Sequence, residues 1–411
     1  MSAETFPDRS RRVRVLGGQI AVDVALFATF AAAVSVLLPA RIAELDPHGK
    51  VGYLAAILSI SFVVSAVALP IVGALSDRTR TRFGRRLPWA AAGALVGGLA
   101  IGLVGGAPSV ILIGILWVIA QSALHGVQVA VDAYLVDVFP EDRRGRAAGI
   151  AGIAVVVGAG VGAVFSGSLA GSPSVVSWTL AALVAVSVIA FASLVHDRAT
   201  PVLRRPRRPP GARARAVVAA VSAHPDFVKL LLWRVAFSIA YGAVFGYLLY
   251  LITDLVGVPT GDAGRLIGLA TVLGGAAALV GVLLGGWLSD RLRRRRLFLL
   301  IGSAALLLGD LLLLASPSVP SVLATAAVFG VGLGLSISCG RALGSQVLPN
   351  QVEGAATGLG VITVATSIGQ AVAPAVGALA IGWGGYPALL VTSLVFATAA
   401  VVPVVLIRSV R

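Results

Sequence analysis

The sequence predicts an all-α integral membrane protein with about twelve transmembrane helices in two pseudo-symmetric six-helix bundles. Three observations predict it. First, 58% of the 411 residues are hydrophobic and 12% charged, with a mean hydropathy of +0.98. Ordinary soluble domains are about half apolar and a quarter charged. The excess here falls in runs of about 20 residues, enough for a helix to cross a hydrocarbon core of ~30 Å. Second, the chain repeats itself. GALSDR at Gly73–Arg78 returns as GWLSDR at Gly286–Arg291, 213 residues on, and Pro140–Gly149 returns as Pro349–Gly358, 209 residues on. Third, the basic clusters Arg9–Arg14, Arg78–Arg86, Arg204–Arg215, Arg291–Arg296 and Arg408–Arg411 all fall on one side of a twelve-span chain. The opposite loops Gly105–Ser109, Gly171–Ser174, Ala315–Ser321 and Gly382–Pro387 are short and nearly uncharged. Only Pro39–Lys50 and Asp254–Arg265 carry charge there, of mixed sign. This positive-inside bias puts both termini in the cytoplasm of a multi-pass cell-membrane protein. It also accounts for the net charge of +15 without nucleic acid, because basic loops can lie against anionic headgroups.

Each predicted element follows in order. Residues 1–14 form a basic cytoplasmic tail. Span 1 (15–38) is too long for a signal h-region and carries Gln19 and Asp23 one turn apart. Span 2 (51–73) ends in the first repeat motif and holds no acidic residue. Span 3 (88–107) opens after the basic turn. Span 4 (109–136) carries Gln121, His125, Gln128 and Asp132 on a single face, from their 4, 3, 4 spacing. Span 5 (147–170) contains Gly158-Ala-Gly-Val-Gly162, and span 6 (175–195) completes a first bundle at 15–196. The Arg/Pro-rich stretch 197–226 has no apolar face and reads as an extended cytoplasmic linker, with a short interfacial helix near 212–224. The second bundle, 227–408, begins with span 7 (227–253), which carries Arg234, Ser238 and Tyr241 on one face. Span 8 (263–288) ends in the second motif. Span 9 (297–315) holds Asp310, to which the sequence assigns no role. Span 10 (319–343) ends near Arg341. Span 11 (355–380) carries Thr363, Ser367 and Gln370 before Pro374, and span 12 (386–408) closes the chain.

The repeated motif has a physical reading. Asp77 and Asp290 each end an apolar span, where a carboxylate can accept from exposed N–H groups at a neighbouring helix N-terminus. Gly73 and Gly286, one turn earlier, would let two backbones approach. The arginines beyond can pair with Asp137, Glu141 or Asp142. On these residues the chain resembles the major facilitator superfamily. Gly73–Arg78 with Gly84-Arg-Arg86 is similar to its loop 2–3 motif, and Gly286–Arg291 to the weaker loop 8–9 copy. Thr79–Phe83 lengthen the spacing, so that residues 77–89 resemble the glycoside/pentoside/hexuronide symporter and sucrose-carrier branch. The resemblance implies that Asp77, Arg78, Arg85 and Arg86, with Asp290 and Arg291, gate the switch between outward- and inward-open states. It also implies that helices 1, 4, 7 and 10 line the path. In that branch, carboxylates on helices 1 and 4 contact the sugar or the coupling cation. Asp23 suits the first position, whereas Gln128 stands at the second. With no acid on span 2, proton coupling through Asp23, Asp132 or His125 is expected over sodium coupling.

Polar groups facing lipid are costly. The span 4 stripe is therefore either a hydrogen-bonded seam between helices or the wall of a wet, solute-binding cavity, and the cavity is the preferred reading. The repeat sets Asp23 against Arg234 (211 residues) and Asp132 against Arg341 (209 residues), an acid in one half matching a base in the other. One expectation is an inner gate formed across the pseudo-twofold axis; the other is that each group pairs within its own half or snorkels to the headgroups. The sequence thus expects a secondary transporter, not an enzyme, working by alternating access without a cofactor. The expected partners are a small-molecule solute, a proton and membrane lipid, for a monomeric chain. Uptake of a sugar or glycoside leads. The aromatic rings available for stacking are Trp117, Trp233 and Tyr241. Proton-antiport efflux of a drug or secondary metabolite is the rival, although Gly158–Gly162 lacks the proline of an efflux motif. A non-transporting sensor or scaffold is the reading of another class. Cys339, the single cysteine, excludes an intrachain disulfide.

Overall fold

The computed structural model describes residues 9–79, 81, 84–139, 141–195, 224–347 and 355–407, with only the backbone described at some helix ends. Helix α1 (Arg9–Ala32) continues through a π turn, Ala33–Leu37, into Leu38–Leu45. Then come α2 (Lys50–Arg78), α3 (Leu87–Val104), α4 (Val110–Val138), α5 (Glu141–Ser168) and α6 (Pro173–Leu194). Helix α7 (Pro225–Gly246) runs on through Leu248–Tyr250 into a second π turn, Leu251–Leu255. It is followed by α8 (Thr260–Leu292), α9 (Arg295–Ala315), α10 (Val319–Val347) and α11 (Ala355–Val405). Among the described residues, eleven helices are long and apolar enough to cross a membrane. The last is interrupted where the backbone leaves the helix at Gly384 and at Gly385, φ 69°. A left-handed residue suits glycine and ends a helix, so α11 comprises two spans and the total agrees with about twelve. The expected linker falls almost wholly outside the described residues, which resume at His224.

Two compact units result: residues 1–201 with 258–272, and residues 202–257 with 273–411. Small residues build each of them. In the first unit, a Cβ on Gly93 would lie 2.8 Å from the Ala123 carbonyl, and one on Gly158 2.5 Å from that of Val24. In the second, a Cβ on Gly302 would lie 3.1 Å from the Gly332 carbonyl, and one on Gly369 2.9 Å from that of Val235. Gly93–Ala123 and Gly302–Gly332 are related by a shift of 209 residues at both ends; Gly158–Val24 and Gly369–Val235 by 211. The sequence repeat is therefore also a repeat of helix contacts, α3–α4 matching α9–α10 and α1–α5 matching α7–α11. Such close approach is how helices associate where lipid is as apolar as their side chains. Around it, Val22, Leu26, Leu124, Val127, Tyr134, Val184 and Phe191 form the core of the first unit. Large apolar side chains such as Ile111, Ile189, Leu283 and Leu379 are exposed, as the lipid-facing surface of a multi-pass membrane protein requires.

Candidate functional site

The α1–α4 contact carries the polar residues of the first unit. Asp23 and Gln19 are buried on α1, each 2% exposed. Gln19 Nε2 donates to Asp132 Oδ1 on α4 at 3.0 Å, and Asp23 lies within electrostatic range of Asp132. Gln19 Oε1 is buried without a partner. Two carboxyl groups and one amide thus meet between two membrane-spanning helices. Among the described residues, no basic side chain forms an ion pair with either acid. Such a cluster is stable in hydrocarbon when protons or water reduce its charge.

The α4 stripe divides along its length. Gln121 is buried, and its Oε1 accepts from Ser61 of α2 at 3.0 Å while its Nε2 has no partner. His125 is half-buried, its ring stacked on Phe30 of α1 at 4.6 Å, with Nδ1 2.9 Å from the Gln121 carbonyl. That contact places the hydrogen on Nδ1 and leaves Nε2 as the outer ring nitrogen. Gln128 is half-buried and Asp132 exposed. Exposure therefore rises toward the α4 C-terminus, and at Gln121 the stripe is a seam with α2.

In the second unit Arg234 on α7 reaches two other helices. Its Nε donates to Thr366 Oγ1 of α11 at 2.8 Å, and its Nη1 to Ser336 Oγ of α10 at 2.7 Å. Ser238 is buried against Gly369. Tyr241 is half-buried, stacked on Phe245 at 5.6 Å with Phe329 beside it at 6.1 Å. Gln370 is exposed; Thr366 is the α11 residue that engages Arg234. Ser61, Phe30, Ser336 and Thr366 escape sequence reasoning. Each is a single small or apolar residue inside an apolar run, with a partner 60 or more residues away. Trp117 and Trp233 prove unsuitable as stacking platforms, at 0% and 1% exposed, the latter bonded through Nε1 to Ser303. Their size drives them into the helix interfaces.

The loop motifs also take shape. Between α2 and α3, the Gly84 N–H donates to the Thr81 carbonyl at 3.0 Å, with Gly84 at φ 88°. Trp89 Nε1 donates to Thr79 Oγ1 at 2.7 Å, tying α3 to the end of α2. Arg86 is buried and Arg85 half-buried; the side chains of Asp77, Arg78 and Arg341 lie outside the described residues, as do Glu141 and Asp142. In the second copy, Asp290 pairs with Arg295 at 2.8 Å, and Arg295 also donates to the Ala342 carbonyl of α10 at 2.9 Å. The expected helix N–H donors are thus replaced by a guanidinium, which binds the carboxylate and a helix-end carbonyl together. Arg291 lies over the Trp287 ring at 5.4 Å. Gly73 and Gly286 are not points of close backbone approach. A Cβ there would meet Val129 at 3.9 Å and Ser338 at 3.5 Å, ordinary contacts.

The family model of the Major Facilitator Superfamily matches residues 24–359 and 258–411. No curated protein sequence matches the chain. Among solved structures, a bacterial homolog of the human lysosomal transporter Spinster, inward-facing and unoccupied, superposes with a TM-score of 0.72 at 16% identity, covering 98% of this chain and 95% of that one. A mutant of the nucleoside transporter NupG superposes with a TM-score of 0.76 at 12% identity, covering 95% of this chain and 98% of that one. At these identities the likeness is one of fold.

Proposed function

The chain belongs to the major facilitator superfamily, and we propose that it is a proton-coupled secondary transporter taking up a sugar or glycoside across the cell membrane, with both termini cytoplasmic. The coarser reading, a secondary transporter that moves a small solute by alternating access, follows from the family. The observation that carries the finer one is the Asp23–Gln19–Asp132 cluster. It sets two acids side by side in membrane-spanning helices, coupled through one amide. A pair of this kind holds one proton more readily than two negative charges. His125, with one ring nitrogen committed to a carbonyl, is a second group able to take a proton. Span 2 supplies no carboxylate for a sodium site. The sugar reading is supported by the resemblance of residues 77–89 to sugar-carrier loops and by the half-buried Tyr241 ring. The Asp290–Arg295–Ala342 clamp supports a gating role for the loop residues.

Reconstitution into liposomes with an internal pH-sensitive dye tests this. Sugars, nucleosides and cationic drugs are added in turn. A sugar or glycoside that carries protons inward supports the proposal. Proton movement with cationic drugs alone moves the reading to efflux, and silence across the panel moves it to a sensor or scaffold.

A further inference from the structure

Asp310 belongs to none of the groups above. It sits in the interior of α9 at 0% exposure. Its Oδ2 lies 2.6 Å from Ser393 Oγ of α11, and Ser393 Oγ lies 3.2 Å from the Ala240 carbonyl of α7. Oδ1 is buried without a partner. All three residues belong to the second unit.

Counting hydrogens decides the state of this carboxyl. A serine hydroxyl carries one hydrogen. With Asp310 ionised, that hydrogen serves either the 2.6 Å contact or the 3.2 Å contact, and the other opposes two acceptors. With Asp310 protonated, its O–H donates to Ser393 Oγ and the Ser393 O–H donates to Ala240, so both contacts are hydrogen bonds. Among the described residues, no cation forms an ion pair with Asp310. On α7, Lys229 pairs with Asp226, and Arg234 binds Thr366 and Ser336. Tyr241 stacks on Phe245. On α9 itself, Arg295 binds Asp290, and Arg296 binds the carbonyls of Val404 and Val405. On α10, Cys339 donates to the Gly285 carbonyl, and Thr325 caps the Gly309 carbonyl next to Asp310. On α11, Tyr386 donates to Asp254.

We propose that Asp310, Ser393 and the Ala240 carbonyl form a proton-binding site, filled in this conformation, in which one proton links α9, α7 and the final span. It is separate from the Asp23–Gln19–Asp132 cluster and holds whether or not that cluster couples transport. Infrared spectroscopy of the full-length chain in liposomes at neutral pH, with no solute present, tests it. The difference between wild type and Asp310→Asn is expected to contain the C=O stretch of a protonated carboxylic acid, and Ser393→Ala is expected to shift that band. Ionised-carboxylate stretches in the difference spectrum overturn the proposal, as does a band that Ser393→Ala leaves in place. Should Asp310→Asn not yield a monodisperse protein, the Ser393→Ala comparison with isotope-labelled aspartate reads the same band. Because no solute is needed, a failure here and a failure of the transport reading are told apart.

Discussion

At the scale of single residues, the amide of Gln19 lies with the two acids of α1 and α4. It donates to Asp132 across the helix pair while its own oxygen is buried without a partner among the described residues, and Asp23 lies beside both groups. The two carboxyls are chemically alike but differently placed, one exposed and one at 2% exposure. We expect Asp23→Asn and Asp132→Asn each to cut pH-gradient-driven accumulation of the solute by at least about tenfold, equivalent to ~1.4 kcal/mol of lost coupling. Solute exchange in the absence of a gradient should persist. Measuring both modes in the same liposomes checks this, and equal loss in both would mean that the acids serve binding alone. The presence of Gln19, Asp23 and Asp132 at helical spacing inside apolar runs was legible in the sequence. The division of the stripe was not. Gln121 turns to Ser61, and nothing in either residue's neighbourhood announces a partner on another helix.

At the scale of helices, glycine decides which pairs touch. A Cβ on Gly162 would sit 2.0 Å from the Ala28 carbonyl, which is backbone and cannot yield, whereas one on Gly152 of the same helix would meet nothing within 4 Å. Opposite outcomes follow. Gly152→Ala should raise the thermal midpoint of the purified protein, since alanine is favoured over glycine in a helix by up to about 1 kcal/mol. Gly162→Ala should lower it, since overpacking costs about 1–3 kcal/mol. Melting curves in detergent read both; two shifts of the same sign would refute the α1–α5 packing. The motif glycines Gly73 and Gly286 lie outside this rule. Spacing relative to Asp-Arg suggested close approach there, but only the facing helix determines whether a backbone or a flexible side chain stands opposite. The π turns Ala33–Leu37 and Leu251–Leu255 lie 218 residues apart, seven more than the 211-residue repeat of α1 and α7; π turns often mark positions where a helix can rearrange.

At the scale of the whole molecule, the arrangement of arginines predicts a topology that chemistry can read. Cys339 is buried at 0% exposure, so the native thiol should resist membrane-impermeant maleimide in intact cells. In a Cys339→Ser background, a cysteine replacing Ala212 should be labelled only after the membrane is opened. One replacing Ser172 should be labelled from outside. The reverse pattern would invert the orientation. The sequence by itself determined that this is a helical membrane protein made of two related halves, where most of its spans lie along the chain, and which polar side chains fall within its apolar runs. It could do so because hydrophobic run length, charge asymmetry and repetition are properties of the chain read along its own axis. Tertiary structure alone decided which of those polar groups meet: Gln19 with Asp132, Arg234 with Thr366 and Ser336, Asp310 with Ser393. Partners 83 to 132 residues apart are brought together by helix packing, and the facing surface, not the local spacing, determines who stands opposite.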